Sequence, residues 1–449
     1  MAARLVIGLW LARASASDEL GLRVEWHAPF VSGGGYCSEA TAFAEALADA
    51  NVSITAVPHG DGYSREYFDG LPAEAQARLR ALLDGPGGDR ARRRRRDERP
   101  PLVAVCHSEP GAWHVLRGPN WPSSPCPPRG GAAAYVVGRT MFETDRLPNG
   151  WAARLNAVDE VWVPTEWARG VFAAGGVDGA RLRVVAEPVD VAYFDPAAAA
   201  ADAARADVRA ALARLARPPA TERSDGTSVF LSVFKWEPRK GWDVLLEAWW
   251  REFTADDDVL LVLLTSEYHS TADFEAQVDE LRARLLGEGG AAARAPAPVR
   301  IETRVSHAVL RALYAAARAV VLPTRGEGWG RPHVEAMSMG TPVIATNWSG
   351  PTAFLSERNG YPLRFDGLVE LPADHAFAGH KWAQPSVAHL QERLRAVVDA
   401  PEDARARGRR AREDMVAHFA PDVLAHDVLG HLRRIEASLH VPAGDTPEL

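Results

Sequence analysis

Short apolar runs alternate with amphipathic segments through both halves of the chain, and this rhythm restricts the fold more than any other feature. In the first half Arg23–Phe30, Val52–Val57, Leu102–Cys106, Ala134–Thr140, Glu160–Pro164 and Leu182–Pro188 read as strands. Ser38–Asp49, Glu74–Leu83 and Glu166–Ala174 between them read as helices. The second half repeats the pattern with strands Val229–Phe234, Val259–Leu264, Val299–Thr303, Ala319–Pro323, Pro342–Thr346 and Tyr361–Phe365. Its helical segments include Trp242–Phe253, Phe274–Leu286 and His307–Ala317. Strands that alternate with helices favour parallel sheets covered by those helices, an α/β fold. A chain of 449 residues exceeds what one core usually organises. Two doubly wound domains are expected, over 1–195 and 227–420, with a linker over 196–226 and a terminal helix and tail over 421–449. Two helical runs with no strand between them, Glu402–His418 and Val423–Leu439, close the chain.

A hydrophobic content of 47% with 24% charged residues is ordinary for a soluble globular protein, and a net charge of −8 gives no reason to expect nucleic acid as a partner. Cys37, Cys106 and Cys126 lack C-x-x-C spacing and cannot all pair, so they read as reduced thiols, without a disulfide framework or zinc site. Gly85–Pro101, with five arginines at Arg92–Arg96, reads as a disordered insertion over 85–100, and Gly287–Pro298 as a second surface loop. Residues 1–16 carry a short basic start, the apolar run Leu5–Ala12 and small residues at Ala14–Ala16. Cytoplasmic location is expected, with the secretory pathway as the alternative if that segment is a signal. No stretch reaches the ~18 apolar residues of a spanning helix.

The chemistry concentrates in the loops that follow strands, where open α/β sheets bind ligands. After Ala319–Pro323 comes GEGWGRPHVEAMSMG: Gly326, Gly328 and Gly330 let the backbone approach a bound group, and a helix begins at Arg331. Glu327 and Glu335 are separated by seven residues, one in the loop and one about two turns down that helix. Carboxylates accept from sugar hydroxyls, while amides and the helix dipole suit phosphates. Trp329 could stack on a sugar or base. In SVFKWEPRKG, Arg239 and Lys240 stand where the backbone turns into the next helix, a cationic pair suited to a departing diphosphate. The first-half counterpart, VSGGGYCSEA, places Gly33, Gly34 and Gly35 before Ser38, an N-cap candidate. GRTMFETDRLP offers Glu143, which could brace a reacting sugar or pair with Arg139 or Arg146, and CHSEP offers His107. Asp256–Asp258 read as solvated charge, and no residue set has metal-ligand spacing.

The Glu327–Glu335 segment closely resembles the E-x7-E signature of retaining glycosyltransferases of the GT-B fold, family 4, and EPRKG is similar to a second motif of that family. The resemblance implies two Rossmann-like domains facing a cleft, the terminal helix crossing back to the first. It implies that Glu327 contacts the donor sugar, Glu335 the ribose and Lys240 the pyrophosphate. A basic residue upstream in many members is matched here only by Lys235, and the glycine loop at Gly33–Gly35 would close over the donor phosphates. Many members also carry a histidine where this chain has Glu143 or Asp145.

The implied function is metal-independent, retaining transfer of a hexosyl group from a nucleoside-diphosphate sugar to an acceptor hydroxyl on a glycan, lipid or protein, with no cofactor. The donor phosphate itself would help to deprotonate the acceptor. Alternatives are a sugar-nucleotide epimerase of the same shape and a non-catalytic sugar-nucleotide or glycan-binding protein.

Overall fold

The computed structural model describes residues 20–60, 62–86, 100–113, 123–215, 227–267, 273–287 and 295–440. The arginine run, the segment 1–16 and most of the surface loop expected after Gly287 lie outside the described residues.

Every expected strand forms. β1 (Arg23–Ala28), β2 (Ile54–Pro58), β3 (Leu102–His107), β4 (Tyr135–Arg139), β5 (Glu160–Val163) and β6 (Leu182–Val184) build a sheet in the order β2-β1-β3-β4-β5-β6. β7 (Ser228–Lys235), β8 (Val259–Ser266), β9 (Val299–Glu302), β10 (Ala319–Leu322), β11 (Val343–Thr346) and β12 (Tyr361–Leu363) build a second, ordered β12-β11-β10-β7-β8-β9. Pairing is parallel wherever register is defined in these two sheets. β3, β10 and β11 are buried along their full length, because helices cover both sheet faces. In the second sheet β7 and β10 are neighbours, which sets the loops carrying Lys240 and Glu327 side by side.

The chain divides into two compact units, Met1–Thr140 with Ala153–Trp162 and Asp422–Leu449, and Met141–Ala152 with Val163–Pro421. The boundary therefore does not fall at 195. The expected linker instead begins with two helices, Pro196–Ala203 and Ala206–Leu215, counted in the second unit. Asp195 caps the first of these by accepting from the Ala197 and Ala198 amides, and Pro196 stands at its first turn, where a missing N–H costs nothing. Val208 and Leu215 join the core with Val309 and Leu313, so this stretch is packed rather than extended. The terminal helix Pro421–Leu439 belongs, from Asp422 on, to the first unit. Its Arg434 donates to both oxygens of the buried Glu160 at 2.7 and 2.6 Å, and His431 lies against Trp162.

A further hairpin, β13 (Phe365–Glu370) with β14 (Lys381–Pro385), is antiparallel and forms its own small sheet. It braces the segment after β4: Lys381 N–H donates to Asp145 at 2.6 Å, and the Thr144 hydroxyl meets His380 Nδ1 at 2.7 Å.

The cysteine expectation is corrected. Cys106, at the end of β3, and Cys126 form a disulfide across a 20-residue separation, leaving Cys37 free and buried. Sequence spacing carried no sign of this, because the chain returns to β3 only through tertiary folding.

Candidate active site

The site is built from the ends of β7 and β10. Beyond β7 the chain makes a tight turn, Pro238–Lys240, and Gly241 leads into the helix Trp242–Glu252 with φ of 66°. A Cβ at Gly241 would sit 2.0 Å from the Pro323 carbonyl oxygen, so only glycine lets this turn press against the end of β10. Arg325 locks the contact. Its guanidinium donates to both Asp243 oxygens at 2.8 and 2.7 Å and to Pro238 O at 2.5 Å, while its amide donates to Arg239 O at 2.7 Å. Sequence reasoning missed this residue; nothing in its neighbourhood distinguishes it from any loop arginine.

Arg239 and Lys240 then converge on Glu327. Lys240 Nζ donates to the two carboxylate oxygens at 2.8 and 3.0 Å. Arg239 Nη1 donates to Glu327 Oε2 at 3.2 Å and to Gly326 O at 2.7 Å, and Nη2 to Glu237 at 2.8 Å. Glu143 approaches the same Nη2 at 3.7 Å, an ion pair with Arg239. Arg146 instead pairs with Asp145, and Arg139 with Glu39. Burial alone would raise the Glu327 pKa, but Lys240 and Arg239 override it and hold the carboxyl at about 2. Arg239 is pushed the other way: burial opposes its charge, yet Glu143, Glu327 and Glu237 raise its pKa further. Its three carboxylate neighbours outnumber the two cations, Arg239 and Lys240.

The loop is held from several sides. Glu327 N–H donates to Ser349 Oγ at 2.9 Å, and Gly350 N–H to Glu327 O at 2.9 Å. Gly326 and Gly328 face the Glu143 carbonyl and Met141, where an added Cβ would come within 2.1 and 2.4 Å. Trp329 is 1% exposed and lies edge-on to Phe354 and Phe419, so it packs into the core. Gly330 precedes the helix Arg331–Ser338, in which Glu335 accepts from the Tyr314 hydroxyl at 3.1 Å. Burial raises the Glu335 pKa, with Arg331 opposing. The two acids thus differ: Glu327 is clamped by cations and Glu335 is held by a phenol. Lys235 ends β7 on an exposed position.

The remaining candidates lie in the first unit. Gly33 has φ of 74° and abuts the Tyr67 ring, Gly34 is the extended residue before the helix Gly35–Asp49, and Gly35 opens that helix. Ser38 therefore does not cap it; it lies in the first turn and donates to Gly35 O. His107 is fully buried. Trp26 Nε1–H donates to its Nδ1 at 2.9 Å, which leaves Nε2 as the protonated nitrogen, donating to Glu39 at 3.0 Å. His107 thus has both nitrogens engaged and no exposed surface. Arg139 Nε completes this group, donating to Glu39 at 2.7 Å. Asp257 and Asp258 are likewise paired rather than solvated, with Thr254 and Arg395, and with Thr227. Among the described residues no cluster of three or more His, Cys, Asp or Glu could hold a metal ion, and no helix is long and apolar enough to cross a membrane.

Residues 226–378 match the family described as Glycosyl transferases group 1. No curated protein matches the chain. Among solved structures, HepE of Anabaena in complex with UDP is similar at a TM-score of 0.61 and 14% identity, covering 92% of this chain and 100% of that one. A glycosyltransferase from Rickettsia africae has a TM-score of 0.61 and 16% identity over 92% of this chain and 98% of that one. Sucrose-phosphate synthase from Thermosynechococcus elongatus has a TM-score of 0.59 and 17% identity over 93% of this chain and 100% of that one. At such identities the likeness is one of fold, and the fold is GT-B.

Proposed function

We propose that the chain is a retaining glycosyltransferase that moves a hexosyl group from a nucleoside-diphosphate sugar to an acceptor hydroxyl on a glycan, lipid or protein. The observation that carries this reading is the buried Glu327 carboxylate gripped by Lys240 and Arg239, inside the segment that matches Glycosyl transferases group 1. HepE, on the same fold, binds UDP and UDP-glucose, which supports a nucleoside diphosphate as the ligand.

Lys240 and Arg239 exchange partners when the donor enters, turning from Glu327 toward the diphosphate. Freed, Glu327 accepts hydrogen bonds from the donor sugar hydroxyls. Glu335 accepts from the ribose. As the glycosidic bond breaks, negative charge gathers on the diphosphate, and cations fixed in a partly dry site stabilise it without reorganisation. Glu143, within reach of Arg239, sets how far that guanidinium can turn. No protein nucleophile is invoked: the leaving phosphate accepts the acceptor proton on the face it departs from, so the anomeric configuration is retained. The test is turnover across a panel of sugar nucleotides and acceptors, with the product anomer read by NMR. An inverted product, or no turnover with any donor, defeats the reading.

Glu327→Gln and Glu335→Gln are expected to differ in kind. The first lowers kcat while the nucleoside diphosphate still binds; the second weakens nucleotide binding itself, because a ribose contact exists before reaction. Calorimetry giving parental affinity for both variants would remove the ribose contact from Glu335.

No divalent metal is invoked, since Arg239 and Lys240 supply the charge compensation. Turnover after exhaustive EDTA treatment is expected to stay within about threefold of the untreated rate. Loss of turnover that added manganese restores would point to a metal-bridged donor instead. The Cys106–Cys126 disulfide favours an oxidising compartment over the cytoplasm as the place of work.

A further inference from the structure

His333 is the third residue of the helix Arg331–Ser338 and is 1% exposed, yet neither ring nitrogen has a hydrogen-bond partner. A buried polar side chain left without partners is costly and calls for an explanation. The ring lies over the Gly330 backbone: Nδ1 is 2.6 Å from where a Cβ would stand on that residue, whose φ of 119° only glycine readily adopts. The charged groups acting on the imidazole from other elements are Glu327 and Lys240. On its own helix, Arg331 is turned to Pro188 O and Glu335 to Tyr314. Burial holds the ring pKa down to about 4 against the pull of Glu327 and of the adjacent Gly330 backbone, which lies too poorly aligned to be a hydrogen-bond partner, and Lys240 lowers it further. At neutral pH the imidazole therefore carries one N–H to donate and no charge.

The start of this helix is short of backbone donors. Pro332, its second residue, has no N–H, and the His333 amide donates back to Gly330 O at 3.1 Å. A helix start facing an anion normally offers its first-turn amides; here two of those three are absent or engaged. The imidazole N–H stands where a replacement is needed, within the field of Lys240, one of the two cations that meet the diphosphate in the function proposed above.

Resting on that function, we propose that His333 donates its N–H to a diphosphate oxygen of the nucleotide, in place of the amide that Pro332 removes. A neutral donor suits the position: it binds an anionic oxygen without repelling Lys240 and without competing for Glu327. Orientation of the diphosphate then depends on a side chain, so discrimination between nucleoside diphosphate and nucleoside is set partly by this residue.

Calorimetric titration of UDP, UMP and uridine into the parent protein, His333→Phe and His333→Gln tests this, with GDP and ADP as alternative probes. Phenylalanine keeps the ring volume and removes the donor; glutamine keeps an N–H donor. His333→Phe is expected to weaken UDP binding about ten- to a hundredfold, the range for a hydrogen bond to a charged group, and to leave uridine binding unchanged. His333→Gln should recover most of the loss. If His333→Phe is too unstable to purify, the UDP-to-uridine affinity ratio of His333→Gln carries the test: a ratio near parental supports the donor, and a ratio reduced a hundredfold overturns it. Equal losses for UDP and uridine, unchanged UDP binding in His333→Phe, or a glutamine variant no better than phenylalanine would each overturn the proposal while the function stands. Failure of the parent protein to bind any nucleoside diphosphate would defeat both.

Discussion

Lys240→Ala is expected to lower kcat by about two to three decades at saturating donor, the ~2.7–4 kcal/mol lost when one fixed transition-state donor is removed. The reason is positional. Gly241 and Arg325 pin the turn that carries Lys240 against the end of β10, so the ammonium group is delivered to Glu327 before any ligand arrives. Arg239 remains in the variant and still neutralises Glu327, through the contact at 3.2 Å. The fold should therefore survive, and the nucleoside diphosphate should still bind, more weakly. A lysine needed only to keep Glu327 paired would behave differently: its removal would lower the melting temperature and leave the turnover of the folded fraction near parental. Steady-state kinetics together with a thermal melt separate the two, and near-parental kcat in a well-folded variant would rule out the transition-state role.

How much of this was legible in the sequence follows from where burial writes itself into composition. The twelve strands of the two large sheets were found because a strand covered on both faces must be apolar along its length, as in β10 (AVVL) and β8 (VLLVLLTS). The β13–β14 hairpin was not, because β13 is exposed throughout and FDGLVE then carries no burial pattern to read. The stretch after Asp195 reads as a linker on its alanine content, although the Asp195–Pro196 cap is a usable helix signal. Glu327, Arg239 and Lys240 were recognisable one loop at a time, and adjacency of β7 and β10 then brings the loops together. Their mutual pairing was hidden, as was the capture of Arg239 by Glu143 and Glu237, because an ion pair leaves no mark on either partner's local sequence. Trp329 misled for a related reason: a tryptophan in a glycine loop looks like a stacking platform until its neighbours, Phe354 and Phe419, are known. The same blindness covers Glu39, a helix residue separated from Arg139 by 100 positions.

That buried group gives the largest expected effect on stability. Arg139→Met should destabilise the protein by about 3–5 kcal/mol, because it leaves the fully buried Glu39 without the guanidinium that neutralises it. For a unit of this size such a loss corresponds to a fall in melting temperature on the order of 10 °C. The pH dependence fixes the interpretation. Burial raises the Glu39 pKa, but Arg139 and His107 override it and hold the carboxyl at about 2, against 4.5 for an unperturbed glutamate. A carboxyl depressed in the folded state contributes stability that is fully present above pH 4.5 and is lost as the pH falls from there toward 2. Without Arg139 the shift reverses, since burial then acts with less opposition, and the variant is penalised for ionising Glu39. Its deficit relative to the parent should thus be greatest near neutrality and narrow as the pH is lowered through the unperturbed carboxyl range. The double variant Glu39→Gln/Arg139→Met removes both charges and should regain most of the loss, because the Nε2–H of His107 can donate to the glutamine oxygen in place of the carboxylate. Melts at neutral and acidic pH for the three proteins decide the matter. A single variant within about 1 kcal/mol of the parent at neutral pH, or a double variant no more stable than the single, would mean that the Glu39–Arg139 pair does not hold the ends of β3 and β4 to the first helix.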